Sequence, residues 1–256
     1  MPWYEESFGS EYLELYAHRD LAEACANMGA LVELLKLRRD EPVLDLCCGA
    51  GRCLLALRRM GFGNLVGLDL SAELLAEAGA LLSSAPSSPV GNVGKEAGGI
   101  GLLRADMRVV PFQDHFAAVL SIFTSFGYFE EDEQNQAVLG AVSAALRHGG
   151  LFVLDYLNRD YVISHLVPQE ERLLRGRRVC HRRWVSADGL RVEKATTVHG
   201  PDGPQQFFES VRMYSETEMR QMLCAEGFTA IRSYGSFSGE EFTAKSERLI
   251  LVAQKG

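Results

Sequence analysis

The stretch Pro42-Val-Leu-Asp-Leu-Cys-Cys-Gly-Ala-Gly-Arg52 decides the fold, because an apolar run breaks there into a glycine turn and then into helical sequence. Its first half is typical of a short buried strand, and residues 52–60 carry leucines at helical spacing. Gly49 and Gly51 supply a turn without Cβ atoms. Such a strand–turn–helix unit presents backbone N–H groups and the positive end of a helix dipole to a ligand.

Three nucleotide-binding patterns compete for this turn. A phosphate-cradling loop is excluded, because no Gly-Lys-Ser/Thr follows the glycines. A dinucleotide fingerprint is incomplete, since Cys53 and Leu54 stand where a third small residue is expected. The complete pattern is Asp-x-x-x-Gly-x-Gly, which begins at Asp45. A second acid, Asp69, ends the next apolar run. A carboxylate at that position can accept hydrogen bonds from both ribose hydroxyls. We therefore predict ribose recognition whichever cofactor is bound.

The composition favours a small substrate over a nucleic acid. The 256 residues are 47% hydrophobic, which is ample for a core, and the formal net charge is −8. That charge opposes the broad positive surface that nucleic-acid binding needs. The acidic N-terminus and the lack of an apolar run of about 18 residues predict a cytoplasmic protein without a membrane partner. A homodimer is left open.

The cysteines predict packing and no metal site. No paired Cys-x-x-Cys spacing occurs, so we expect reduced thiols and no structural zinc. The six are Cys25, Cys47, Cys48, Cys53, Cys180 and Cys224.

Two later segments are expected at the same sheet edge as Asp69. Asp106-Met107 follows a short strand. There the Asp106 carboxylate can accept a hydrogen bond from an adenine amino group, and the Met107 N–H can donate one to a ring nitrogen. The alternative is a surface turn. The neighbouring Arg108, like Asp114 and His115, is interpreted as solvated loop. Residues 116–123 form a strong strand, and beyond it Phe123, Thr124 and Tyr128 are expected to line the place of reaction, with core packing as the alternative.

The N-terminal segment is either a helix packed on the sheet or a lid. In the second interpretation Tyr12, Tyr16 and Arg19 face the cofactor, and Arg19 pairs with a carboxylate. Residues 83–99 are rich in Gly, Ser and Pro, which predicts an exposed, mobile insertion without chemistry.

A basic β region interrupts the second half of the chain. Residues 177–185, 190–198 and 206–213 alternate as strands and are separated by Asp-Gly turns, which predicts a three-stranded antiparallel flap. Alternation places Arg178 on one face and His181 on the other. Most of its arginines are expected in solvent, with one basic side chain facing the substrate.

Together these segments resemble the class I S-adenosylmethionine (SAM) methyltransferases over nearly the whole chain. Cys-Cys-Gly-Ala-Gly-Arg, Ser-x-Phe-Thr-Ser-Phe-Gly-Tyr-Phe and the β flap are similar to the small-molecule branch that includes glycine and sugar-amine N-methyltransferases. The resemblance implies an α/β fold, with a Rossmann-like seven-stranded sheet, helices on both faces and an inserted antiparallel flap. The expected parts are a helical cap (1–41), a SAM-binding core (42–155), a flap or lid (156–214) and a C-terminal helix and hairpin (215–256).

The resemblance also implies a site and a reaction. It makes Gly49 and Gly51 the methionine loop, Asp69 the ribose ligand and Asp106-Met107 the adenine site. The expected cofactor-binding residues are Tyr12, Arg19, Asp45, Gly49, Ala50, Gly51, Asp69, Leu70, Asp106, Met107, Ser121 and Phe123. The expected substrate pocket comprises Tyr16, Thr124, Tyr128, Asn158 and Arg178. SAM would donate a methyl group by in-line displacement to an N or O atom of a small molecule and leave as S-adenosylhomocysteine.

Such a displacement depends mainly on holding the nucleophile about 3 Å from the methyl carbon in a dry pocket. A hydroxyl acceptor would need a base, for which Tyr128, Asp155 and His181 are weak candidates. Three alternatives stay open: an RNA or protein methyltransferase that docks its substrate on the arginine-rich flap, a non-catalytic SAM- or nucleotide-binding protein and, least favoured, an NAD-dependent oxidoreductase.

Overall fold

The computed structural model describes residues 2–7, 15, 21–84, 99–201 and 203–256. Its helices are α1 (Trp3–Ser7), α2 (Leu21–Leu35), α3 (Arg52–Arg59), α4 (Ala72–Ser84), α5 (Asp132–Ala145), α6 (Arg159–His165) and α7 (Glu216–Ala225). Its strands are β1 (Val43–Leu46), β2 (Leu65–Asp69), β3 (Ile100–Arg104), β4 (Phe116–Ser121), β5 (Leu146–Leu157), β6 (Gln169–Leu174), β7 (Arg177–Val185), β8 (Arg191–Gly200), β9 (Gly203–Arg212), β10 (Phe228–Tyr234) and β11 (Arg248–Lys255).

The predicted seven-stranded sheet is confirmed. Its order is β10-β11-β5-β4-β1-β2-β3, with parallel pairing from β3 to β5 and antiparallel pairing of β11 with both its neighbours. The strand order reverses between β1 and β4, which lie side by side. In open α/β sheets the crevice outside the carboxyl ends of two such strands is where ligands bind.

Helices cover both faces of this sheet and bury two apolar clusters. On one face, α5 and α7 pack Val138, Leu139 and Leu223 against Leu44 and other strand residues. On the other face, α2 and α3 contribute residues such as Met28 and Leu54, and Val43 of β1 joins them. Adjacent residues of β1 therefore point to opposite clusters, as expected for a strand buried on both faces.

The flap is a separate antiparallel sheet of four strands in the order β6-β7-β8-β9. The sequence predicted three, and β6 was missed because it is a charged edge strand of sequence Gln-Glu-Glu-Arg-Leu-Leu with little burial. Within β7 the predicted alternation is confirmed, since Val179 and His181 are buried while Arg178 and Arg182 are exposed.

Residues 148–150 have the sequence His-Gly-Gly, which is typical of a helix end, but they lie within β5, because β5 begins at Leu146, directly after α5. The pairing of β5 with β4 shifts register between Phe116 and Ala118, so residues 147–150 bulge from the ladder. A Cβ at Gly150 would lie 2.8 Å from the Arg147 carbonyl oxygen, which explains the glycine there.

No helix in the described ranges has the length and apolar character needed to cross a bilayer.

Candidate active site

The turn after β1 holds a left-handed backbone at three positions. Cys47, Gly49 and Gly51 have φ angles of 61°, 53° and 77°. A Cβ at Gly51 would lie 3.0 Å from the Cβ of Ala78 on α4, so this glycine allows α3 and α4 to pack closely. A Cβ at Gly49 would meet no atom of the described residues within 4 Å. The Gly49 backbone, followed by Ala50, therefore borders open space where a ligand can approach.

The carboxylate of Asp69 lies at the end of β2 and holds the turn. Its Oδ2 accepts a hydrogen bond from the Gly49 N–H at 2.8 Å, and its Oδ1 accepts one from Ser71 at 2.9 Å. Asp69 is buried, and burial raises the pKa of its carboxyl above the usual value. Each oxygen keeps lone-pair capacity for a further donor. Next to it, the carbonyl of Leu70 accepts a hydrogen bond from Arg104 Nε at 3.0 Å.

Asp45 of β1 is a second buried acid beside the turn. It is 2% exposed, and its Oδ2 has no hydrogen-bond partner within the part of the chain that the structure describes. Burial, followed by the negative charge of Asp69, raises the pKa of Asp45 to about 8. A buried carboxylate oxygen without a partner is costly, and a donor or cation in the turn would relieve that cost.

We expect Asp45→Asn to stabilise the apo protein more at high pH than at low pH. The pKa of Asp45 is higher in the folded state than in the unfolded state. Its titration therefore contributes fully to the free energy of unfolding below about pH 4, and this contribution is lost as the pH rises through about 8. Asn has no such titration. The gain in free energy of unfolding should therefore grow to the order of a few kcal/mol between about pH 5 and pH 9, by chemical denaturation. Equal changes at both pH values would contradict it.

Asp106 and Met107 follow β3 and reach the same turn. The Met107 sulfur accepts from the Cys47 thiol at 3.5 Å, and the Ala105 N–H donates to the Asp69 carbonyl at 3.1 Å. Arg108 binds the Asp106 carboxylate through Nη2 at 2.6 Å and through Nε, which lowers the pKa of Asp106 although burial opposes it.

The expectation that Arg108 is solvated loop was therefore wrong. Its side chain is 28% exposed, and its guanidinium lies 4.3 Å from the centroid of the Phe129 ring. The Asp-x-Arg spacing was the only signal for this pair in the sequence.

Beyond β4 the chain takes a strained path. Ser121 is buried, and Phe123 and Thr124 have φ angles of 63° and 59°, which are uncommon for residues with bulky or branched side chains. Asp155 of β5 holds this path, since its Oδ2 accepts the Phe123 N–H at 2.7 Å and its carbonyl accepts the Thr124 N–H at 3.1 Å. Arg52 is the first residue of α3, and its guanidinium lies 5.4 Å from the Phe123 ring centroid. The β4 end therefore lies beside the glycine turn.

The three candidate bases lie in two different places. Asp155 is fully buried and paired with Arg248, whose Nη1 lies 2.7 Å from both carboxylate oxygens. The Tyr128 hydroxyl donates to the Thr124 carbonyl at 2.7 Å. His181 lies in the flap sheet, with Nδ1 3.0 Å from Thr196 Oγ1, and burial lowers its pKa to about 4.

The expected substrate-pocket residues do not all converge. Thr124 and Tyr128 lie together after β4, whereas Arg178 lies on an exposed face of the flap with Nη2 3.4 Å from His199 Nε2. Asn158 is 3% exposed, accepts the Asp160 N–H, and donates its amide to backbone carbonyls of residues 243–246. Tyr12, Tyr16 and Arg19 lie outside the described residues, as does most of the 83–99 insertion.

Comparisons with known proteins agree with this arrangement. Residues 43–150 match a family model described as a methyltransferase domain. The chain is similar to YqeM of Bacillus subtilis (strain 168), whose name marks it as a candidate methyltransferase, with 26% identity over 257 residues that cover 98% of this chain and 96% of that protein. It is also similar to a glycine/sarcosine N-methyltransferase of Aphanothece halophytica, with 23% identity over 88% of this chain and 80% of that protein.

The fold is similar to that of solved methyltransferases. A structure described as an S-adenosylmethionine-dependent methyltransferase from Clostridium acetobutylicum ATCC 824 superposes with a TM-score of 0.75 over 96% of both chains, at 19% identity.

The residues present fit SAM as the cofactor. The space that the described residues leave open at Gly49 admits a ligand against the backbone, and the Asp45 oxygen that none of them contacts by a hydrogen bond suits a cofactor that carries cationic groups. Asp69 retains acceptor capacity for ribose, and Asp106-Met107 lies one strand further along the same edge. The match of residues 43–150 to a methyltransferase domain, the methyltransferase relatives and this geometry together support a SAM-dependent methyltransferase, the class of enzyme that the chain resembles.

Proposed function

We propose that the enzyme methylates a nitrogen or oxygen atom of a small molecule, with an amine nitrogen favoured. The observation that carries the preference for nitrogen is that two of the three candidate bases are already engaged. The Asp155 carboxylate is ion-paired with Arg248, and the Tyr128 hydroxyl donates its proton to a carbonyl. A neutral amine needs no strong base in the transition state, whereas a hydroxyl does.

The bound cofactor supplies a methyl group activated by a sulfonium, so the chain's own residues have to orient the acceptor and exclude water. Asp155 holds Phe123 and Thr124 in their strained conformation at the β4 end. The glycine turn and Asp69 hold the neighbouring edge. Both tasks are positional, and neither requires a proton to move.

A cavity of about 680 Å³ between α6 and the flap suits the acceptor. Helix α6, which lines this cavity, follows the carboxyl end of β5, and the glycine turn follows the carboxyl end of β1 at the same edge of the sheet. Two ion pairs lie in its wall, Arg183 with Glu170 at 2.8 Å and Lys194 with Glu209 at 3.0 Å. The remaining lining is largely apolar: Val162, Leu166, Val167, Val192 and Val211. Apolar walls with a few charged groups are typical of small-molecule sites.

One relative supports nitrogen as the acceptor atom. The Aphanothece halophytica protein is named for N-methylation of glycine and sarcosine. A cavity of about 680 Å³ also has room for a larger amine than either of these.

The test is transfer of labelled methyl from SAM to a panel of amines, phenols and carboxylates, read by mass spectrometry. We expect methylated amines. Methylation of phenols alone would overturn the preference for nitrogen, and transfer only to RNA, with steeply salt-dependent RNA binding, would replace the proposed function.

Filling the cavity should raise the KM for the acceptor. We expect Val192→Trp to raise this KM about tenfold or more and to leave the Kd for SAM unchanged, because Val192 lines the cavity. Leu173→Trp is the matched control, since Leu173 is 79% exposed and does not line the cavity. An unchanged KM in Val192→Trp, with the fold intact by thermal unfolding, would place the acceptor elsewhere.

A further inference from the structure

Arg191, the first residue of β8, connects the flap to the loop that follows β4. Its Nη1 donates to the Phe129 carbonyl at 3.0 Å, and its Nη2 lies 3.3 Å from the Gly127 carbonyl and 3.5 Å from that of Tyr128. Within the flap, Nε donates to Ser210 Oγ at 2.7 Å and Nη2 to the Ser210 carbonyl at 3.0 Å. A single guanidinium thus binds three successive carbonyls of the core and a residue of β9.

The loop needs such a partner, because residues 122–131 contain no helix or strand. Carbonyls in an irregular segment have to find donors outside it when they are buried. Arg offers five N–H donors in a rigid planar fork, which allows one side chain to serve several acceptors. Two further hydrogen bonds join the flap to the core. The Arg212 N–H of β9 donates to the Gly127 carbonyl of the loop at 2.8 Å, and the Tyr156 hydroxyl of β5 donates to the Arg212 carbonyl.

The same loop carries the residues at the β4 end. The Tyr128 hydroxyl donates to the Thr124 carbonyl, so the position of residue 128 is transmitted to Thr124. Thr124 follows Phe123, whose ring lies beside Arg52 at the start of α3. The chain of contacts therefore runs from Arg191 in the flap to the edge of the glycine turn.

We propose that Arg191 is a positioning residue for methyl transfer, because its guanidinium ties the flap to the carbonyls of residues 127–129 and so holds Tyr128 and Thr124 in place beside the cofactor turn. The proposal rests on the proposed function for its kinetic consequence. Its structural consequence, the order of the loop, does not depend on any acceptor.

The test compares Arg191→Met with Arg182→Met, which removes an exposed arginine of the same sheet. By hydrogen–deuterium exchange, amides of residues 123–131 should exchange about tenfold faster in Arg191→Met, while those of the β1–α3 turn are unchanged. In turnover, kcat should fall by about 10- to 100-fold with an unchanged Kd for SAM. Arg191→Lys, which keeps the charge but not the fork, should fall between the wild type and Arg191→Met.

Unchanged exchange of residues 123–131 in Arg191→Met would overturn the inference. A loss of SAM affinity in Arg191→Met as large as its loss of kcat would also overturn it, because such a loss indicates a general defect of the fold. If Arg191→Met fails to fold, Arg191→Lys provides the same two readings. If the wild type transfers no methyl to the acceptor panel, the proposed function fails while the exchange result still decides whether Arg191 orders the loop.

Discussion

Replacing Asp69 with Asn is expected to weaken SAM binding about 100-fold, measured by isothermal titration calorimetry. Both carboxylate oxygens of Asp69 already accept backbone N–H groups, from Gly49 and from Ser71. The Asn amide has one oxygen and one NH₂ group, so one of these N–H groups would lose its acceptor and face another donor. The turn would shift, and the ribose would also lose an acceptor oxygen.

The matched control is Asp114→Asn. Asp114 has a side chain that is 75% exposed and forms a surface ion pair with Lys255 at 2.8 Å. Such pairs contribute little, so the Kd for SAM should stay within about twofold of the wild type. A wild-type Kd in Asp69→Asn would show that this carboxylate neither shapes the cofactor site nor binds ribose.

Replacing Asp155 with Ala is expected to lower the free energy of unfolding by about 3 kcal/mol and to abolish most turnover. The carboxylate is fully buried, pairs with Arg248 and accepts the Phe123 N–H. Its removal leaves a partly buried cation and the Phe123 N–H without that partner, and the strained Phe123–Thr124 segment then keeps only the hydrogen bond from the Thr124 N–H to the residue-155 carbonyl out of the two that residue 155 supplies.

Asp155→Asn separates the two effects of Asp155→Ala. The amide oxygen can still accept the Phe123 N–H, whereas the ion pair with Arg248 is lost. We expect Asp155→Asn to be less damaging to both stability and kcat than Asp155→Ala, by chemical denaturation and by steady-state kinetics. Equal effects of the two variants on kcat would mean that the hydrogen bond to Phe123 does not position the β4 end.

Much of the fold was predictable because its signals are local. Apolar runs that end in glycine turns or acids mark the buried strands, and Asp69 was found because it ends such a run. The charged edge strand β6 gave no such signal, since edge strands bury little and carry charge to avoid pairing with other chains. The start of β5 is not evident from the sequence either, because the bulge at 147–150 places glycines inside a strand.

The arginines that organise the candidate site were not predictable from local spacing. Arg248 pairs with Asp155 from 93 positions away in the chain, and Arg191 reaches Phe129 across 62 positions. No periodicity connects such residues, because the sheet topology alone brings them together. In the same way, the alternation of side chains along β7 predicted which residues share a face, but it could not show which face the core and α6 would cover.

A crystal structure with bound S-adenosylhomocysteine tests the assignment most directly. We expect the ribose hydroxyls within hydrogen-bonding distance of the Asp69 carboxylate, the amino-acid end of the ligand over Gly49 and Gly51, and the adenine beside Asp106 and Met107. Adenosine bound away from the β1–α3 turn, or a turn closed on itself by its own side chains in the presence of saturating ligand, would contradict the assignment of this edge of the sheet as the SAM site.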